Sequence, residues 1–136
     1  MTARRCHQLP IAVEDDIIVV RRAVRTLAEA HGFDTFASAA LVTATSELTR
    51  NAWSHAGGGV ATIDVVEEGN RVGVRVTLKD SGPGIADLPA ALSGGFSTAR
   101  SLGLGLSGSR RLVDQFDLQS TVGQGTTVEI LKWKML

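Results

Sequence analysis

The spacing of apolar positions changes period along the chain. In "EDDIIVVRRAVRTLAEAHGF", Ile17, Val20, Val24 and Leu27 recur at helical spacing behind an acidic first turn, with Gly32 where a C-terminal cap belongs. "DTFASAALVTATSELTRNAWSHA" predicts a second helix, capped by Asp34 or Thr35 and ended by Gly57-Gly58-Gly59. The period then falls to two. "VATIDVV" and "RVGVRVTLKD" flank "EEGN" and predict a hairpin. Val72, Val74, Val76 and Leu78 lie on one face of its second strand, and Arg71, Gly73, Arg75, Thr77 and Lys79 on the other. One buried and one wet face imply helices on a single side of the sheet.

The remaining segments fit this plan. "CHQLPIAV", interrupted by Pro10, reads as an edge strand or a lead-in. "SGSRRLVDQF" predicts a third helix presenting Leu112, Val113 and Phe116, and "DLQSTVGQGTTVEILKW" a closing hairpin. Between them runs "SGPGIADLPAALSGGFSTARSLGLGL", a Gly/Ser/Pro-rich passage with room for one helical turn at "ADLPAAL". A loop of that length in a small domain is more often functional than filler. The expectation is an α+β, two-layer α/β sandwich: a mixed, mostly antiparallel sheet with about three helices on one face, forming one domain over residues 1–136.

Composition narrows the function classes. The 136 residues are 43% hydrophobic and 21% charged, which suits a folded domain with a single core. Fourteen basic residues balance fourteen acidic ones, so no net positive field points to nucleic acid. The lone Cys6 makes neither an intramolecular disulfide nor a multi-cysteine zinc site. No apolar run reaches the roughly 18 residues of a spanning helix, and "MTARRCHQLPIAVEDD" lacks the apolar core of a secretory signal. The expectation is a cytoplasmic protein with neither nucleic acid nor membrane as partner.

Several polar residues stand out against this background. Glu47 and Asn51 in "SELTRNAW" lie one helical turn apart, with Ser54 and His55 continuing the face and Leu41, Ala44 or Ala52 packing opposite. A solvated polar stripe accounts for such a pair. So does a carboxylate that accepts a proton from a hydroxyl, beside an amide oxygen that ligates hydrated Mg²⁺. Asp80 in "LKDSGPGI" extends the face of Val76 and Leu78, toward the helices. It is either a turn cap or an acceptor for a flat donor such as an adenine amino group, over the space that Gly82 and Gly84 leave open.

Gly103-x-Gly105-x-x-Gly108 has the spacing of a dinucleotide-binding turn, which requires a strand before the first glycine and an acid about 20 residues beyond. Here a loop, "GGFSTARSL", precedes it, and Glu129 falls inside a terminal strand. The dinucleotide reading fails on context. A glycine-rich loop opening a helix remains, whose free N–H groups suit phosphate oxygens.

Taken in order, these boxes resemble the ATP-binding domain shared by histidine kinases and GyrB-type topoisomerases, the Bergerat or GHKL fold. "TATSELTRNAWSHAGGG", "DSGPGI", "GGFSTARSLGLGLSGSRRLVDQF" and "GQGTTVEILKW" resemble more closely the RsbT-type serine/threonine protein kinases, small switch kinases that partner stressosome proteins. Gly95-Phe96-Ser97-Thr98 followed by Gly103-x-Gly105-Leu106-x-Gly108-x-Arg110-Arg111-Leu112 carries the resemblance most specifically.

The resemblance implies ATP and Mg²⁺ as cofactors and assigns roles. Glu47 would be the general base, Asn51 the Mg²⁺ ligand, and Asp80 the acceptor of the adenine amino group, with Gly82 and Gly84 shaping the base pocket. Gly103, Leu104 and Gly105 would form the lid, with Leu106 beside them at the nucleotide. Thr126 would reach the adenine side through its hydroxyl or a water. Arg100 would reach the γ-phosphate or stay a solvated loop arginine, and His55 reads more simply as a packed or surface histidine. Arg110 and Arg111 would face a partner or the phosphates. The implied substrate is a STAS-domain antagonist or scaffold of a stressosome, and the implied effector a PP2C-type phosphatase. An anti-sigma factor kinase holding a sigma subunit, and a non-catalytic ATP-binding switch, are the alternative readings. A histidine kinase fragment fits worst, because nothing before residue 35 resembles a phosphoacceptor helix pair.

Overall fold

The computed structural model describes residues 1–85 and 105–134. Its elements run β1 (Thr2–Ile11), α1 (Asp16–Ala30), α2 (Thr35–Ala56), β2 (Gly59–Glu68), β3 (Arg71–Lys79), α3 (Gly105–Leu112), β4 (Gln115–Thr121) and β5 (Gly125–Trp133). The five strands form one sheet in the order β1-β2-β3-β5-β4. All four pairings are antiparallel, where the sequence left room for a mixed sheet. "CHQLPIAV" is an edge strand, and it begins earlier than its apolar half suggested, at Thr2. No helix among the described residues is long and apolar enough to cross a membrane.

Caps and turns follow the local chemistry. Asp34 Oδ1 accepts the Ala37 N–H at 2.7 Å and starts α2, and Gly57, at φ 76°, ends it. The helices lie on one face of the sheet. Val20, Val24 and Ala28 of α1 and Leu41, Ala44, Leu48 and Ala52 of α2 close over Ile63, Val74, Val76, Leu78, Val128 and Ile130. The even-numbered residues of β3 therefore face the core, as their alternation predicts. Thr45 and Thr49 are fully buried within α2, and each hydroxyl donates to the carbonyl one turn earlier, Leu41 O at 2.8 Å and Thr45 O at 2.6 Å.

Two expectations need correction. The predicted third helix reached Phe116, but α3 stops at Leu112 and Phe116 lies on β4. The sheet takes the chain over: Asp114 N–H donates to Leu131 O at 2.9 Å, and Asp114 Oδ2 accepts the Trp133 N–H at 2.7 Å. The outer sheet face is also less wet than its polar alternation suggested. Val66, Leu131 and Trp133 form a second buried cluster there. Gly73 makes room for it, since a Cβ at that position would lie 2.8 Å from Trp133 Cε3. The Arg71 guanidinium covers the Trp133 ring at 4.0 Å. Beside this cluster, buried Asp64 pairs with Arg75 at 3.1 Å, and Arg75 reaches Glu129 at 3.4 Å.

Candidate functional site

The loop after β3 and the β4–β5 hairpin interlock around Asp80. Asp80 N–H donates to Thr126 O at 2.9 Å. Its Oδ1 accepts the Thr126 N–H at 3.1 Å and the Gly82 N–H at 2.9 Å. The loop is also held from the hairpin side: Gly123 N–H donates to Pro83 O at 2.9 Å and Ile85 N–H to Ser120 Oγ at 2.7 Å. Among the described residues nothing donates to Oδ2, so one carboxylate oxygen is spent on structure and the other is available. The two readings of Asp80, turn cap and ligand acceptor, are thus compatible, one per oxygen.

The glycines named from the sequence sit where backbones touch. A Cβ on Gly82 would lie 2.8 Å from Ala56 Cα, which sets the Asp80 loop against the C-terminal end of α2. Gly84 has φ 77° and faces the Thr121 carbonyl carbon, 2.8 Å from where a Cβ would stand. Gly125, at φ 119°, lies against the Asp80 backbone, with a Cβ only 2.9 Å from the Asp80 carbonyl carbon.

Glu47 and Asn51 lie on α2, one turn apart and both half-buried. Their face is a flank of the helix and not the side opposite the core: at 3.6 residues per turn, buried Ala44 stands roughly 60° from Glu47. Glu47 differs from the other acids that are at least half-buried among the described residues. Asp64 and Glu129 pair with Arg75, and Asp16 and Asp80 each accept two N–H groups, whereas Glu47 engages no described partner. The Asn51 amide is likewise unengaged by described residues. No group of three or more His, Cys, Asp or Glu that could hold a metal alone occurs among them. An amide oxygen with phosphate and water oxygens completing the shell fits Mg²⁺, which seldom takes an all-protein cage.

The other predicted positions divide. Gly105 opens α3, which packs against α2, and Leu106 is half-buried against the core. Arg100, Gly103 and Leu104, with the Gly95-Phe96-Ser97-Thr98 stretch, lie outside the described residues. His55, Arg110 and Arg111 are exposed, and Trp53 packs partly against the core. Ser120 was missed by sequence reasoning. The signal was available in the alternation Phe116, Leu118, Ser120, which puts a hydroxyl third on the inward face of β4.

Residues 37–135 match the family described as histidine kinase-, DNA gyrase B-, and HSP90-like ATPase. The chain is 41% identical over 123 residues to the serine/threonine-protein kinase RsbT of Bacillus subtilis, covering 90% of this chain and 92% of that one. It is 34% identical over 97 residues to the anti-sigma F factor of Anoxybacillus flavithermus, covering 66% of this chain and 65% of that protein. In fold it is similar to a structure of the RsbU and RsbW domains of a Mycobacterium tuberculosis protein, with a TM-score of 0.66 at 20% identity over 100% of this chain and 34% of that one. It is also similar to a structure of the SiaB–SiaC complex from Pseudomonas aeruginosa, with a TM-score of 0.55 at 16% identity over 96% and 91% of the respective chains.

The antiparallel sheet with helices on one face agrees with the fold of that ATPase family. The chain belongs to the histidine kinase-, DNA gyrase B-, and HSP90-like ATPases and, within them, to the RsbT-type serine/threonine protein kinases that act as partner switches.

Proposed function

We propose that this kinase transfers the γ-phosphate of Mg·ATP to a serine or threonine of a STAS-domain antagonist or scaffold, in the cytoplasm, and then engages a PP2C-type phosphatase. The observation that carries the site assignment is Glu47, half-buried beside Asn51 and bound to no described partner. With no structural partner, that carboxylate is available to a ligand or to a reacting hydroxyl.

Each residue then has a task. Glu47 accepts the proton of the attacking hydroxyl, or orients that hydroxyl. Asn51 would supply an oxygen to Mg²⁺, whose charge would offset that of the phosphates. Asp80 Oδ2 accepts from the adenine amino group while Oδ1 keeps the loop in place, and the Thr126 hydroxyl completes the base side. By resemblance, Gly103, Leu104 and Gly105 would form a lid for the triphosphate, with Leu106 beside them at the nucleotide and Arg100 as a candidate for the γ-phosphate. Catalysis in this chemistry comes from positioning and electrostatics, so the Asp80 frame serves the reaction by holding the nucleotide in place.

Incubation with a STAS-domain protein and labelled ATP tests the substrate. Phosphoserine or phosphothreonine on the partner supports the proposal, and its absence with ATP bound removes it. The likeness to the anti-sigma F factor favours a second reading, in which the chain holds a sigma subunit. A pull-down that recovers a sigma subunit and no phosphatase would favour that reading.

A further inference from the structure

Ser120 Oγ touches three groups at once. Ile85 N–H lies at 2.7 Å, Gly125 O at 3.2 Å and Thr126 Oγ1 at 2.8 Å. A serine hydroxyl has one proton and two lone pairs, and these partners use all three. The Ile85 N–H only donates, so it occupies a lone pair. The Gly125 carbonyl only accepts, so it takes the serine proton. The contact to Thr126 is left with the second lone pair, and Thr126 must be the donor. With its proton committed to Ser120, Thr126 Oγ1 has acceptor capacity alone to offer a ligand.

The same polarity holds across the Asp80 contact. Asp80 Oδ1 is occupied by the N–H groups of Thr126 and Gly82, and Oδ2 is a carboxylate oxygen with nothing to donate. Asp80 and Thr126 together therefore present lone pairs. A base with an exocyclic amino group at this edge meets acceptors with donors. The 6-amino group of a purine has two N–H bonds and can serve both oxygens, whereas a 6-oxo purine turns a carbonyl to them and keeps the neighbouring N1–H as its one donor on that edge.

We infer that Ser120 is a positioning residue that sets the Thr126 hydroxyl as an acceptor and so makes the pocket select a 6-amino over a 6-oxo purine nucleotide. The inference rests on the assignment of Asp80 and Thr126 to the base of ATP and adds the origin of selectivity. With Ser120 truncated, the Thr126 proton becomes free to rotate toward a ligand carbonyl, and the discrimination weakens.

The test is calorimetric titration of the intact chain with Mg·ATP and Mg·ITP, for wild type, Ser120→Ala and Ser120→Thr, with a thermal melt of each. ITP differs from ATP at the edge in question, carrying a carbonyl in place of the amino group and an N1–H in place of the N1 lone pair. The expected result is a preference for ATP over ITP that narrows by roughly three- to tenfold in Ser120→Ala, the worth of one hydrogen bond. Ser120→Thr, which keeps the hydroxyl, restores the wild-type ratio. An unchanged ratio in Ser120→Ala overturns the inference even if both affinities or the melting temperature fall, since a purely structural tie weakens both nucleotides alike. Wild type binding neither nucleotide overturns the ATP-pocket reading itself, and that outcome is visible before any variant is compared.

Discussion

Asp80 and Thr126 hold each other by both backbone and side chain: Asp80 N–H donates to Thr126 O at 2.9 Å, and Thr126 N–H returns to Asp80 Oδ1 at 3.1 Å. This clasp joins the end of β3 to the start of β5, residues 46 apart in sequence. It fixes the orientation of the carboxylate, so that Oδ2 is presented without the side chain having to be ordered when a ligand arrives.

Asp80→Asn separates the two oxygens experimentally. An asparagine can keep its oxygen on the Thr126 and Gly82 N–H groups while placing an NH₂ where Oδ2 was. Two donors then oppose each other at the adenine edge. ATP affinity should fall by about 10- to 100-fold, the range for losing a charge-assisted hydrogen bond, with little change in melting temperature. Asp80→Ala leaves both N–H groups without the carboxylate and should lower the melting temperature as well. Calorimetry beside a thermal melt reads the difference.

Glu47 has the opposite signature. Because no described residue pairs with it, Glu47→Ala breaks no described contact and should fold and melt like wild type. It should bind ATP, yet phosphoryl transfer to the partner should drop by about 10²- to 10⁴-fold, the usual contribution of a positioned base. Single-turnover transfer with labelled ATP checks this. A variant that transfers phosphate at the wild-type rate removes Glu47 from the base role.

Much of this arrangement was legible because periodicity reports burial. Val74, Val76 and Leu78 face the core as their alternation required, and Ile17, Val20 and Val24 do so at helical spacing. What periodicity did not reveal depends on contacts distant in sequence. Phe116 reads as the next turn of a helix until Asp114 is seen bonded to Leu131 and Trp133. Trp133 looks like a residue of a wet face until Gly73 opens a seat for it from the neighbouring strand. Ser120 has the composition of an ordinary hairpin residue, and only the fold brings Ile85 to it across 35 positions. Motif order located Asp80 and Thr126, and their bond is tertiary.

Gly125 and Gly123 provide an internal control on the frame. Both have positive φ, 119° and 81°, but nothing lies within 4 Å of a Cβ at Gly123, whereas one at Gly125 meets the Asp80 backbone. Gly123→Ala should cost only the left-handed conformation, about 1–2 kcal/mol. Gly125→Ala adds a collision that pushes Asp80 from Thr126. It should destabilise more and weaken ATP binding at temperatures where the protein is still folded. Denaturant unfolding and calorimetry on both variants test this. Equal losses at the two positions would mean that the frame does not depend on the close approach at Gly125.

Away from the site, Asp16 makes stability respond to acid. Its Oδ2 accepts the Ala12 N–H at 2.8 Å and the Val13 N–H at 3.0 Å, tying the end of β1 to the first turn of α1. These bonds, that to Ala12 first, hold the Asp16 carboxyl below the usual aspartate range. A group whose pKa is lower folded than unfolded binds more protons in the unfolded chain. Its contribution is therefore complete above the unfolded aspartate pKa, about 4, and is lost as pH falls through the folded value. Asp16→Asn should lower stability at pH 7 and flatten the decline below about pH 4 relative to wild type. The gap between the two proteins should close as acid protonates Asp16 in the wild type, which denaturant melts between neutral and acid pH would follow. A gap that stays constant across that range would mean that the Asp16 carboxylate does not hold the β1–α1 junction.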